Sequence, residues 1–252
     1  MDFQVIDSHC HLDFPKFNKD RETAIQRAFD AGVDQMINSG VDPKTNISTL
    51  ELAQKYDYIH ATLGFSPHLS PEATDEQVNS MLNFIEDHVN EIVGIGEAGL
   101  DYHYFTSNTE RDRQIEVFKQ VIELADKYNK PLVIHGREAE NVALGLSGHL
   151  EKVVFHCYGG NLETMSNVVD AGHFISVPTL VCFSEHHREI AREVPLEHML
   201  LETDSPYLSP RKGRNEPAFV LDSIPWIAKL KGIEEKEIAD ITRKNTIRVF
   251  GL

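Results

Sequence analysis

The sequence predicts an α/β fold, a TIM (β/α)8 barrel in which eight parallel strands alternate with helices, followed by a short additional C-terminal helix. Three observations support this class. Apolar runs of strand length alternate with longer amphipathic stretches eight times along the chain. The length of 252 residues is normal for one such barrel. Reactive side chains follow several of the apolar runs, and barrel enzymes carry their chemistry at the carboxyl ends of the strands.

The predicted strands are short and rich in Val, Ile, Leu and Phe, and Gly, Pro or Asn residues bound them. Continuous apolar runs of this kind are typical of parallel strands that are buried on both faces. In chain order the runs lie at residues 3–7, 33–40, 58–65, 92–97, 131–135, 152–157, 173–177 and 198–204.

The stretches between these runs have helical periodicity. Within 109–129, apolar residues recur at helical spacing from Ile115 to Ala125, with charged residues between them. Thr74 and Thr109 precede acidic first turns, as N-cap residues do. The predicted helices cover residues 19–31, 44–56, 74–89, 109–129, 137–148, 161–171, 184–194 and 217–231, with a last helix near 234–245.

An open doubly wound sheet is the alternative arrangement of alternating strands and helices. That fold often has a Gly-rich phosphate-binding loop after its first strand, and none follows residues 3–7 here. No linker, charge block or low-complexity segment divides the series. We therefore expect a single domain that spans residues 1–252.

The charge balance narrows the class of partner. Lys and Arg total 24 against 40 Asp and Glu, which gives a formal net charge of −16. Such a chain is not expected to hold nucleic acid through a broad basic surface. A phosphate substrate stays compatible with the sequence, because bound divalent ions can reverse the local sign of the charge.

The three cysteines, Cys10, Cys157 and Cys182, are too few and too unevenly spaced for a disulfide framework, which favours a reducing compartment. The N-terminal residues show no signal-peptide pattern, and no apolar stretch approaches the roughly 18 residues that a membrane span needs. The sequence therefore predicts a cytoplasmic protein without membrane association, and no obligate protein partner is evident.

The most informative motif is His9-Cys10-His11, at the end of the first predicted strand. Side chains two residues apart in an extended segment point the same way, so both imidazoles can bind one metal ion. The barrel would bring them to one rim with four further candidates, each at the end of another predicted strand. These are Glu97, His135, His156 and Asp204.

Four imidazoles and two carboxylates suit Mg, Mn or Zn, and the sequence does not choose among these metals. Six donors exceed what one four-coordinate catalytic zinc requires, and they are about right for two divalent ions that share a carboxylate. Glu97 is the natural bridge, because its strand lies between the two groups of histidines. Asp204 is expected to bind one ion and accept a proton from the attacking water, so Glu97 and Asp204 are the predicted catalytic residues. Asp7 is expected to support the site.

Six short motifs follow one another along nearly the whole chain. They are Asp7-Ser8-His9-Cys10-His11-Leu12, Gly96-Glu97-Ala98-Gly99-Leu100-Asp101-Tyr102, His135-Gly136-Arg137, Phe155-His156-Cys157-Tyr158-Gly159-Gly160, Glu202-Thr203-Asp204-Ser205-Pro206-Tyr207-Leu208 and Arg214-Asn215-Glu216-Pro217. In this order and at these spacings they resemble the successive signatures of the TatD deoxyribonuclease family, within the amidohydrolase superfamily of metal-dependent enzymes.

The resemblance implies a TIM barrel with two divalent ions and, as in several family members, 3′→5′ exonuclease or DNase activity. Carried over by motif, one ion takes His9, His11, Glu97 and Asp204, and the other takes Glu97, His135 and His156. The positions expected to contact substrate or line its pocket are His68, Arg137 and Arg214. A surface ion pair is an alternative role for each arginine.

The segment Gly64-Phe65-Ser66-Pro67-His68 departs from the family pattern, because Ser66 stands where the family usually has a histidine. This difference removes no proposed metal ligand. It therefore bears on the choice of substrate more than on metal binding.

The function favoured by the sequence is hydrolysis of DNA phosphodiesters, at strand ends or in single strands, by metal-activated water. One alternative keeps the site and changes the bond, giving a metal-dependent ester or amide hydrolase such as a D-aminoacyl-tRNA deacylase, a role that some TatD-like proteins have. A second alternative is a non-catalytic metal-binding or interaction protein. The complete ligand set argues against this last class, since a lost Glu97 or Asp204 would have favoured it.

Overall fold

The computed structural model describes residues 3–252, so the first two residues of the predicted domain lie outside the described part. Its single sheet has eight parallel strands in the order β1 to β8, and backbone hydrogen bonds from His11 and Asp204 join the two edges into a barrel. The predicted TIM barrel is confirmed. The strands are β1 Val5–Cys10, β2 Val33–Ser39, β3 Ile59–Leu63, β4 Gly94–Asp101, β5 Leu132–Arg137, β6 Val153–His156, β7 Phe174–Pro178 and β8 Met199–Glu202.

Helices follow the strands in alternation, and an additional helix ends the chain as predicted. They are α1 Arg21–Ala31, α2 Pro43–Lys55, α3 Asp75–Asp87, α4 Asn108–Tyr128, α5 Glu140–Ser147, α6 Leu162–Asp170, α7 Glu185–Glu193, α8 Ser223–Lys231 and α9 Glu235–Phe250. The predicted helix over 217–231 is divided, since Pro217–Asp222 is a 3-10 helix and α8 begins at Ser223. Among the helices of residues 3–252, none has the length and apolarity required to cross a lipid bilayer.

Capping residues explain where several helices begin. The Thr74 side chain accepts the amide of Gln77, which confirms the predicted cap of α3. The predicted cap at Thr109 is wrong, because Ser107 accepts the amide of Glu110 and the Glu110 side chain accepts the amide of Ser107. This reciprocal pair is a capping box, so α4 begins at Asn108.

The apolar core fills the barrel and the layer between strands and helices, and every strand contributes to it. A smaller cluster joins residues near the strand starts, among them Val133 and Leu200, to Val249 and Phe250 of α9. Burial of these last two residues explains why α9 continues beyond the predicted end at 245.

Strand β4 differs from the prediction, because it continues to Asp101 and Glu97 lies within it. The pairing of β4 with β5 shifts register between Ile95 and Ala98, which changes the direction of the intervening side chains. The backbone just after β3 approaches this irregular segment closely at Gly64. Only a glycine fits there, so the position of Glu97 depends on the residue that follows a neighbouring strand.

We predict that Gly64→Ala destabilises the protein, because a Cβ would lie 2.2 Å from the Glu97 carbonyl oxygen and 2.4 Å from the Glu97 amide nitrogen. Overpacking of this kind should lower the free energy of unfolding by about 1–3 kcal/mol. The matched control is Gly145→Ala in α5, where a Cβ meets nothing within 4 Å. Thermal denaturation compares the two variants, and equal melting temperatures would contradict the close approach at Gly64.

Candidate metal centre

The barrel brings all six predicted ligands together at the carboxyl ends of its strands. They are His9 in β1, His11 just after β1, Glu97 in β4, His135 in β5, His156 at the end of β6 and Asp204 after β8. Asp204 has a φ of 53°, in the left-handed region that Asp tolerates better than most residues. This turn after β8 aims the carboxylate back towards the barrel axis, where His11 lies.

The Glu97 carboxylate lies at the middle of the cluster. Its Oε2 is 3.4 Å from Nε2 of His9 and 3.6 Å from Nε2 of His11. Its Oε1 is 2.8 Å from Nδ1 of His135 and 3.2 Å from Nε2 of His156. Each carboxylate oxygen therefore faces its own pair of imidazoles.

Three groups of ligand atoms have the spacing of a metal site, with all atoms of a group within 4.8 Å of one another. Two of them share His9, and the full set is His9 with Glu97 and His156, His9 with His11 and Asp204, and His68 with Asp101 and His135. Asp204 Oδ1 lies 3.4 Å from His11 Nε2. Both carboxylates, Glu97 and Asp204, therefore lie next to imidazole nitrogens, as expected of a site that binds cations.

Neighbouring acceptors fix which ring nitrogen carries the proton in His11 and His135. His11 Nδ1 is 2.8 Å from the carbonyl oxygen of Ser39, and His135 Nε2 is 3.2 Å from Oδ2 of Asp101. Both acceptors require a donor, so in the neutral rings the nitrogens that face Glu97 carry lone pairs. Such outward hydrogen bonds are the usual support of histidines that bind metal.

The inward nitrogens make contacts that need a positive charge between them. His9 Nε2 lies 3.2 Å from His11 Nε2, and His156 Nε2 lies 3.4 Å from His135 Nδ1. Lone pairs directed at each other and at the carboxylate of Glu97 repel unless a proton or a cation lies between them. The residues present therefore fit a divalent metal, and imidazole with carboxylate is a donor set that Mg, Mn and Zn accept.

The titration behaviour follows from the same crowding. Burial opposes ionisation of Glu97, yet the charge of His156 and hydrogen bonds from the histidines hold the pKa of Glu97 well below its ordinary value. Burial alone would lower the pKa of His11, but Asp204 and Glu97 raise it to about 9. The carboxylates are thus anionic and the cluster takes up positive charge, which metal ions supply in place of protons.

Three further carboxylates support the site. The sequence analysis predicts this role for Asp7 but not for Asp101 or Glu202. Asp101 Oδ2 accepts from both His135 and His68, each at 3.2 Å. Glu202 is fully buried, and its Oε1 is 3.7 Å from the outward Nδ1 of His156. Asp7, expected to support the site, accepts two hydrogen bonds from Thr203, at 2.9 and 2.6 Å, and ties β1 to the end of β8.

A pocket of about 1230 Å3 opens over the cluster, and its lining includes His68 and Arg137. Arg214, the third predicted substrate contact, lies outside this lining. Its guanidinium donates to Asp20 at 2.7 and 2.9 Å and to Glu216 at 3.1 Å. The structure thus shows Arg214 in an ion pair with two carboxylates, and its predicted contact with substrate stays a prediction.

The fold and the centre together define a class, the TIM-barrel hydrolases that depend on bound metal. The model of the family described as TatD related DNase matches residues 6–251. The chain belongs to this family.

Individual relatives agree with the assignment. An uncharacterized metal-dependent hydrolase of Methanocaldococcus jannaschii is 39% identical over 250 residues, covering 99% of this chain and 98% of that protein. The human deoxyribonuclease TATDN3 is 29% identical, covering 98% of this chain and 94% of that protein. The crystal structure of YjjV, a TatD homologue of Escherichia coli, superposes with a TM-score of 0.90 at 28% identity and covers 100% of both chains.

We predict that Asp101→Asn weakens metal binding by about 10- to 100-fold while the fold is retained. One amide oxygen cannot reproduce an anionic acceptor for two imidazoles, so His135 loses the partner that fixes its proton on Nε2. Titration of the apoprotein with Mn or Zn, followed by calorimetry, measures the effect. Asp112→Asn, an exposed change in α4, is the control, and equal affinities for the two variants would contradict the role of Asp101.

Proposed function

We propose that this metal-dependent hydrolase is a DNase, a 3′→5′ exonuclease that cleaves phosphodiester bonds at strand ends, with residues 1–252 as one catalytic domain. The observation that carries the proposal is the arrangement at Glu97, whose two oxygens face separate pairs of imidazoles at 2.8–3.6 Å. A carboxylate shared in this way suits two ions that act on one phosphoryl group. The family description, TatD related DNase, supports the same substrate class.

We assign the ligands to two ions, with Mg, Mn or Zn as candidates. One ion would take His9, His11, Glu97 and Asp204, and the other would take Glu97, His135 and His156. When bound, such ions lower the pKa of an attacking water and stabilise the negative charge that develops on the phosphoryl oxygens.

The protein's own groups supply proton transfer and orientation. Asp204 is anionic, because hydrogen bonding from His11 and the charge of the histidines outweigh the effect of burial and lower its pKa. Its carboxylate can accept the proton of the attacking water as the new P–O bond forms and the bond to the leaving 3′ oxygen breaks. Glu97 holds the two halves of the centre at a fixed separation.

The pocket offers donors for the phosphate itself. Arg137 is exposed at the end of β5, and no carboxylate of residues 3–252 lies within ion-pair distance of its guanidinium. A planar guanidinium binds phosphate oxygens through two hydrogen bonds. In a chain with a net charge of −16, this free cation and the bound ions would provide the local attraction for a polyanion.

We predict that Asp204→Asn abolishes turnover while most of the fold is retained. The amide keeps the size of the carboxylate but cannot accept the proton, so kcat on labelled single-stranded DNA should fall at least about 100-fold. EDTA should remove both activity and DNA binding by the unaltered protein, and Mg, Mn or Zn should restore them. If DNA stays intact with every metal while charged tRNA is deacylated, the nuclease is excluded in favour of an ester hydrolase.

The two predicted arginines should behave differently. Arg137→Gln should raise KM for DNA about tenfold, the scale of losing a charged hydrogen bond to phosphate. Arg214→Gln should leave KM unchanged and lower the melting temperature, because Asp20 and Glu216 each lose one of their two arginine partners and keep only Arg27. Steady-state kinetics with thermal denaturation separates the two effects, and an equal rise of KM in both variants would refute this distinction.

A further inference from the structure

Two exposed tyrosines lie at the barrel mouth, on segments that follow opposite strands. Tyr104 follows β4 and Tyr207 follows β8, and strands four apart in a closed eight-stranded barrel lie on opposite sides of its axis. Tyr104 is 61% exposed and Tyr207 is 45% exposed. Both line the pocket over the metal centre, so the centre lies between two aromatic walls.

Each tyrosine carries a cation on its ring. The Arg137 guanidinium carbon is 4.9 Å from the centroid of Tyr104, and Lys16 Nζ is 4.3 Å from the centroid of Tyr207. Within residues 3–252, neither cation has a carboxylate within 4.0 Å. Each wall therefore combines an aromatic face with a cation that is free to meet an anion.

Exposure of these rings is selective. The large hydrophobic side chains that are exposed in the described chain number eight, and of these only Tyr104 and Tyr207 line the pocket. Other aromatic residues of the mouth are partly packed, for example Phe14 against the ring of His11 at 4.5 Å. The two tyrosines thus keep much of their surface accessible to a ligand, although a cation lies over the ring of each.

We propose that Tyr104 with Arg137, and Tyr207 with Lys16, form two nucleobase subsites, one on each side of the bond that is cleaved. The inference rests on the proposed nuclease function and defines its substrate as an unpaired strand end. A phosphodiester joins two nucleosides, so a phosphate at the centre directs one base towards each wall. Bases stack on aromatic rings with little sequence preference, because every base has a π face.

The arrangement excludes paired bases. A base that stacks on Tyr104 while its neighbour stacks on Tyr207 has left the continuous stack of a duplex, since the two walls lie on opposite sides of the barrel. The cations add to binding through the phosphates next to each base, which a protein of this net charge otherwise repels. Single strands and frayed ends are therefore the substrates that fill both subsites.

The test uses the metal-loaded full chain with single-stranded oligothymidylates that carry 5,6-dihydrothymidine at the terminal or the penultimate position. The saturated ring keeps the sugar and phosphate but loses its aromatic face. Tyr104→Leu and Tyr207→Leu remove the protein's faces, and Tyr104→Phe and Tyr207→Phe retain them. Phe29→Leu, an exposed aromatic change in α1, is the control. Thermal denaturation establishes that each variant is folded.

We expect each Leu variant to raise KM for the unmodified oligomer at least about fivefold, with kcat changed less than twofold. The Phe variants and Phe29→Leu should behave as the unaltered protein does. Dihydrothymidine should raise KM in the unaltered protein. In each Leu variant, dihydrothymidine at one of the two positions should cause no further rise of KM, because the ring that this base stacks on is already absent. This non-additivity would identify which base meets which ring.

Three results would overturn the proposal. Unchanged KM in both Leu variants, with DNA still cleaved, refutes the subsites and leaves the nuclease function standing. A rise of KM confined to one tyrosine indicates a single nucleobase subsite and refutes the pair. Failure of the unaltered chain to cleave any oligomer with Mg, Mn or Zn refutes the nuclease function and the subsites with it.

Discussion

The interaction on which the rest of the site depends is the contact of one buried carboxylate, Glu97, with four imidazoles from three other strands. Burying a charge is unfavourable unless the charge is paired and hydrogen-bonded. Here each oxygen of Glu97 lies next to two imidazoles. The position is maintained by the backbone of β4, which packs against Gly64 directly after β3. Because the carboxylate joins β1 to β5 and β6 across the barrel, any shift of one strand alters both halves of the centre at once.

The surrounding hydrogen bonds turn this contact into a defined geometry. His11 and His135 each direct one nitrogen outward to an acceptor, Ser39 or Asp101, and the other inward to Glu97. Asp101 is itself held by the backbone amides of residues 103 and 104. The loop that carries Tyr104 is therefore tied to the orientation of His135, a predicted metal ligand, and the position of the pocket wall is linked to that of the histidine cluster.

The sequence was sufficient to predict the barrel and the six side chains that converge, because strand ends on one rim need no detailed packing to be located. It was not sufficient where tertiary contacts decide. The sequence pattern predicts that β4 ends at Glu97, because no local feature of the sequence indicates the shifted register with β5. Asp101 was recoverable, because it lies four residues beyond Glu97 and so on the same face of an extended strand. The pairing of Arg214 with Asp20, 194 positions away, leaves no local signal.

The distribution of cations shows how an acidic barrel can accept a polyanion. Carboxylates of the protein already neutralise six arginines, which are Arg27, Arg113, Arg188, Arg211, Arg214 and Arg243. Arg137 and Lys16 are different, because each lies over a tyrosine at the mouth without such a partner. These two cations lie at the mouth, above a centre that itself takes up cations, and they are available to an anion in a chain whose net charge is −16. Under the proposed nuclease function, a strand end would reach these cations, whereas a long duplex would bring most of its phosphates against a chain of net negative charge. The charges therefore favour the same substrate shape as the proposed nucleobase subsites.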